Sequence, residues 1–95
     1  MEGFKLTPER MRDVATKFST SAEEIMDTAT RVNNAAEELM SAWVGAGADE
    51  FLCDIKEYKQ ACDKMVNLLD ERSRALMSSA QAADELSNSL ANQWA

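Results

Sequence analysis

The sequence contains no histidine, one proline, three glycines and two cysteines, and 6% of its 95 residues are aromatic. Without histidine it lacks the usual general base, the usual proton shuttle and the commonest metal ligand. Cys53 and Cys62 are too few for a disulfide framework or a four-ligand zinc site. No apolar run approaches the ~18–20 residues that span a bilayer, so stable membrane insertion as a helix is not expected. The first twenty residues scatter charges where a signal peptide needs an uninterrupted apolar stretch of about 7–15. The expectation is a soluble non-enzyme without metal or cofactor, which, if it leaves the cell, does so without a cleaved leader.

Positive charge is scarce too. Ten Lys and Arg face 17 Asp and Glu, for a net charge of −7. Residues 1–43 carry five basic and eight acidic side chains and the remainder five and nine, so neither half is a basic tail. Affinity for nucleic acid comes mainly from Lys and Arg neutralising phosphates, so DNA, RNA and anionic membrane surfaces are poor partners for this chain.

What is present is helical periodicity. Thr7, Pro8 and Glu9 supply an N-cap, a proline at the first helical position and an acid near the positive end of a helix dipole. From there apolar residues recur at alternating steps of four and three: Met11, Ala15, Phe18, Ala22, Ile25, Ala29, Val32, Ala36, Leu39 and Trp43. This is a heptad seam in which large residues alternate with alanine, a pattern that favours close packing against an antiparallel neighbour. Gly45 and Gly47 break the helix, and Asp49 and Glu50 suit the start of a second one. The second seam runs Phe51, Ile55, Tyr58, Cys62, Met65 and Leu69, then Leu76, Ala83, Leu86 and Leu90, with Arg72 and Ser79 as interruptions. Those interruptions predict poorer packing and fraying over its last third.

The predicted architecture is all-α, with one domain over residues 1–95. Helix one covers about 8–42, a turn about 43–47, and helix two about 48–91. At 1.5 Å per residue the helices measure roughly 50 and 65 Å, giving a thin antiparallel two-helix hairpin. Val14, Met26, Met40, Leu52, Val66, Leu68 and Met77 lie off the seams, where a single hairpin covers them only in part. A second hairpin would bury them, so the expected assembly is a dimer forming an elongated four-helix bundle.

Trp43-Val44-Gly45, at the bend of a chain of about a hundred residues between two long amphipathic helices, resembles the WXG100 (ESAT-6-like) family of small type VII secretion proteins. Thr7-Pro8-Glu9 ahead of it, and Ala48 and Phe51 after it, fall at spacings typical of that family. The resemblance covers essentially the whole chain. It implies a helical hairpin that pairs with itself or with a paralogous hairpin and is exported from a Gram-positive bacterium by a membrane ATPase machine. It also implies a leaderless secretion substrate or export partner that acts through protein–protein interaction, with a cytoplasmic stage before export. The helical region of a larger type VII effector and the membrane ATPase are further partners it suggests. The alternative is an intracellular helical adaptor or chaperone for a larger effector, which shares the fold and stays in the cell.

Read physically, Trp43 ends the first seam, so its indole either covers the open end of the hairpin or docks on a partner's helix, while Gly45 supplies backbone freedom for the reversal. Glu23, Glu24, Glu37 and Glu38 form two acidic pairs opposite the seam and read as solvated surface, because di-metal bundles point their carboxylates inward and add histidine. The six methionines read as core or dimer packing, and Tyr58 as packing. Cys53 and Cys62 lie on opposite sides of one helix roughly 13 Å apart, which excludes a bridge between them. Cys62 suits a buried seam position, Cys53 points outward and is open to an intermolecular disulfide, and free thiols favour a cytosolic stage. Exported relatives often carry an aromatic residue followed four positions later by an acid. Here Tyr58 is followed at that spacing by Cys62, and no other aromatic fits, which implies that a signal-bearing partner accompanies export.

Overall fold

In the computed structural model, which describes residues 6–94, α1 spans Pro8–Ala42 and α2 spans Ala48–Trp94. Thr7 is extended (φ −82°, ψ 156°), and its Oγ1 accepts from the Arg10 backbone N–H at 3.2 Å, while Pro8 occupies the first turn and needs no acceptor. The helices run antiparallel. Trp43 meets Phe51 at the bend, the Ser73 hydroxyl donates to the Ala15 carbonyl at 2.8 Å, and the Arg12 guanidinium pairs with the Asp84 carboxylate near the open end. The result is a flat rod of 76 × 26 × 14 Å.

Ala15, Ala22 and Ala36 of α1 and Ala80 of α2 are the fully buried residues among those described, and no large side chain is fully buried. Alanine at these positions lets the two backbones approach closely, but each buries little apolar area at ~25 cal/mol per Å². Met11, Phe18, Ile25, Ala29 and Val32 are half-buried along α1, as are Phe51, Ile55, Tyr58, Cys62 and Leu69 along α2. Two predicted hairpin positions in the body of the rod differ, Leu39 at 47% and Met65 at 48% exposed, and toward the end of α2 the seam residues Leu86 (63%) and Leu90 (48%) are exposed too.

The geometry of an α-helix explains both differences. With 3.6 residues per turn, a strict seven-residue repeat drifts about 20° per heptad, so over the four heptads from Met11 to Leu39 the stripe rotates by about 80°. Leu39 therefore leaves the seam for one face of the rod. In α2 the inward residues are Cys62, Val66, Leu69, Ser73, Leu76, Ala80 and Ala83. The step from Cys62 is four rather than three, so an eleven-residue interval from Ile55 to Val66 cancels the accumulated drift. Val66 thus takes the inward place predicted for Met65. Arg72 and Ser79 do not interrupt the seam, because Ser73 and Ala80 occupy it and the two predicted interruptions face outward. The predicted fraying is corrected with them, since α2 continues unbroken to Trp94, whereas the poorer packing predicted for its last third is present: residues 85–93 are all exposed.

Candidate functional site

The bend between the helices spans residues 43–47. Trp43 caps α1 in an extended conformation (φ −94°, ψ 113°), and its backbone N–H closes the last helical bond to the Leu39 carbonyl at 3.0 Å. Its indole is half-buried and leans on Phe51, with ring centroids 5.5 Å apart and planes tilted by 48°. Val44 is 95% exposed and packs against nothing. Gly45 and Gly47 both have positive φ, 127° and 90°.

Gly45 takes the positive φ expected of it at the reversal, and a further constraint falls on Gly47. Its carbonyl accepts from the Phe51 N–H at 3.0 Å, starting α2, and a Cβ at this position would lie 3.3 Å from the Trp43 ring; at Gly45 a Cβ meets open space. Gly47→Ala therefore combines backbone strain with pressure on the indole, whereas Gly45→Ala suffers strain alone. The expected loss is about 1–3 kcal/mol for Gly47→Ala, larger than for Gly45→Ala. Thermal denaturation of the two variants side by side checks the order.

The second feature is one flat side of the rod. Midway along it lies an open groove of about 500 Å³, walled by Ser21, Ile25 and Thr28 of α1 and by Tyr58, Ala61, Cys62 and Met65 of α2, with Glu24 on its rim. Helical spacing extends this face. Eighteen residues make five full turns, so Val14 points as Val32 does, Leu86 as Leu68 does, and Leu68 lies seven residues from Ala61. Leu39, Met65, Leu68, Leu86 and Leu90, all 46–63% exposed, therefore share the grooved side. The opposite side has a smaller groove of about 190 Å³, bordered by Met26, Ala29, Thr30, Asn33, Lys59 and Asp63 and mixed in character. Exposed apolar residues occur on that side as well, Met26 at 56% and Met77, five turns after Lys59, at 41%.

Tyr58 and Cys62, one turn apart in the main groove, interact. Hydrogen bonding with the Cys62 side chain, followed by partial desolvation and the Cys62 charge, raises the Tyr58 phenol above 10.0. A folded-state value above the unfolded one means that this contribution is complete below the unfolded value and is lost as pH rises through the folded one. Spectrophotometric titration of the single tyrosine should give a midpoint above 10, lowered by Cys62→Ala; an unchanged midpoint in that variant would contradict the contact. Cys53 is exposed and free. Glu23, Glu24, Glu37 and Glu38 are exposed, and among the described residues no cluster of three or more potential metal ligands occurs. No helix among the described residues is long and apolar enough to cross a membrane.

A tryptophan cap, one exposed residue and a positive-φ glycine between two long helices form a W-x-G bend, and the family model WXG100, described as proteins of 100 residues with WXG, matches residues 3–86. The chain belongs to the WXG100 family. WXG100 proteins are ESAT-6-like helical proteins of type VII secretion, a family of non-enzymatic character whose members form homo- or heterodimers. Among solved structures, the WXG100 hairpin is similar to EsxA from Geobacillus thermodenitrificans, crystal form I. The TM-score is 0.83 at 26% identity, covering 93% of this chain and 96% of that one. It is also similar to the secreted protein EsxB from Bacillus anthracis strain Sterne, with a TM-score of 0.77 at 27% identity over 86% and 88% of the respective chains. No curated protein sequence matches this WXG100 chain significantly.

Proposed function

We propose that this chain is a type VII secretion substrate or export partner that acts by seating its grooved apolar side on another helical hairpin, forming a four-helix bundle. The observation that carries the reading is the absence of an interior in the lone hairpin, whose fully buried described residues are four alanines. A compact monomer of 10.5 kDa exposes about 5,400 Å². This chain exposes 7664 Å². The excess, about 2,200 Å², is of the order that each partner of an obligate dimer buries.

In this reading the chain supplies the packing face, and the aromatic-to-acid signal that Tyr58, followed four positions later by Cys62, does not supply comes from another chain of the exported assembly. Export begins from a cytoplasmic stage, in which the reduced Cys53 and Cys62 persist. The test is secretion of a tagged copy from a Gram-positive host with an intact type VII machine and from the same host lacking its membrane ATPase. The proposal expects the protein in the medium of the first strain and in the cells of the second. Retention in both strains, or export from both, would overturn it.

A further inference from the structure

One stripe of α2 gathers three oxidisable side chains into the main groove. Tyr58, Cys62 and Met65 follow one another at steps of four and three, so a phenol, a thiol and a thioether share one wall. Cys62 is half-buried and engaged with Tyr58. Met65 is 48% exposed, and a thioether reacts with a small oxidant without first losing a proton.

A second exposed methionine shows why this position is sensitive. Met26, at 56%, borders the smaller groove on the opposite side together with Lys59 and Asn33, whose N–H groups suit a newly added oxygen. No Lys or Arg is among the residues lining the main groove. Glu24 on its rim is an acceptor when ionised, and Ser21, Thr28 and Tyr58 offer hydroxyls alone. A sulfoxide at Met65 therefore sets a strong acceptor on a wall shared with Ile25 and Ala61, and covering it with a partner's apolar side chains strips it of water without a charged donor in return.

We propose that Met65 is an oxidation site that controls whether the grooved side takes a partner. In the step, a lone pair of the thioether sulfur attacks one oxygen of hydrogen peroxide. The O–O bond breaks, an S–O bond forms, and the other oxygen leaves as water with both peroxide protons. The sulfur loses two electrons and the peroxide gains them. Methionine sulfoxide reductase returns the product to the thioether. A seated partner covers Met65, so pairing and oxidation exclude one another. A chain paired in the reducing cytoplasm keeps its thioether, whereas an unpaired chain that meets an oxidant loses its docking face.

This inference rests on the grooved side being the pairing face, and the experiment separates the two. Full-length wild type and Met65→Leu are treated with hydrogen peroxide, sulfoxide is mapped at each methionine by peptide mass, and association is followed by sedimentation at micromolar concentration. Oxidised wild type should associate more weakly by about 10-fold or more. Methionine sulfoxide reductase should restore it where a thiol reductant alone does not, which assigns the loss to methionine rather than cysteine. Treated Met65→Leu, oxidised at Met26 and Met77 like the wild type, should associate as it does untreated. In the wild type, oxidation of Met65 should slow relative to Met26 as concentration rises. Undiminished association with Met65 oxidised, or an equal loss in Met65→Leu, would overturn the inference and leave the pairing face standing. A Met65-to-Met26 oxidation ratio indifferent to concentration, or an untreated chain that does not associate, would remove the pairing face and the inference with it.

Discussion

Replacing Leu68 by Asp should strip the protein of most of its helical circular dichroism at micromolar concentration and leave it without a cooperative melting transition. In the isolated hairpin Leu68 is 46% exposed, and a reading confined to one chain predicts a change of no more than a few tenths of a kcal/mol. In the proposed bundle it faces the partner hairpin, where the carboxylate would be buried unpaired. That burial costs several kcal/mol, comparable to the whole ~5–10 kcal/mol stability of a small domain. Because the lone hairpin encloses little besides alanine, losing the partner removes most of what holds the two helices together. Glu23→Lys, on the exposed outer surface, should shift stability by less than about 0.5 kcal/mol. A Leu68→Asp protein with wild-type helicity and melting temperature would contradict the bundle.

Ala22→Leu should be strongly damaging. Ala22 is 2% exposed at the contact between α1 and α2, so three added carbons have nowhere to go unless the helices part. Overpacking of this kind costs about 1–3 kcal/mol at a single site. Alanine and leucine differ little in helix propensity, so the effect isolates packing from helix formation. The same change at Ala29, which is half-buried, should cost less. Chemical denaturation of the two variants measures the difference, and an Ala22→Leu midpoint at or above wild type would refute the close approach of the backbones.

Much of this fold was legible in residue spacing. The Thr7-Pro8 start and the glycine-marked bend are local signals, written in residues whose conformational preferences survive any context. The alanine stripe of α1 was readable because a seven-residue repeat drifts slowly, and Ala15, Ala22 and Ala36 stay inside before the drift carries Leu39 out. The register of α2 was harder, because Met65 and Val66 are both apolar. Choosing between them requires knowing that an eleven-residue interval keeps the stripe facing α1, and Ser73 and Ala80 at inward positions were the available clue. The Arg12–Asp84 pair and the Ser73–Ala15 hydrogen bond join residues 72 and 58 positions apart, and nothing local in the sequence announces them. At the bend, the W-x-G triplet drew attention to Gly45, while the glycine whose missing Cβ makes room for the indole is Gly47, two positions beyond the motif.

The measurement closest to the central claim is the mass of the purified, untagged chain by sedimentation equilibrium across the micromolar range, with helicity recorded on the same samples. A hairpin that is half of a four-helix bundle gives about twice 10.5 kDa and loses helicity as dilution separates the pair. A fully helical, concentration-independent species of 10.5 kDa would contradict it.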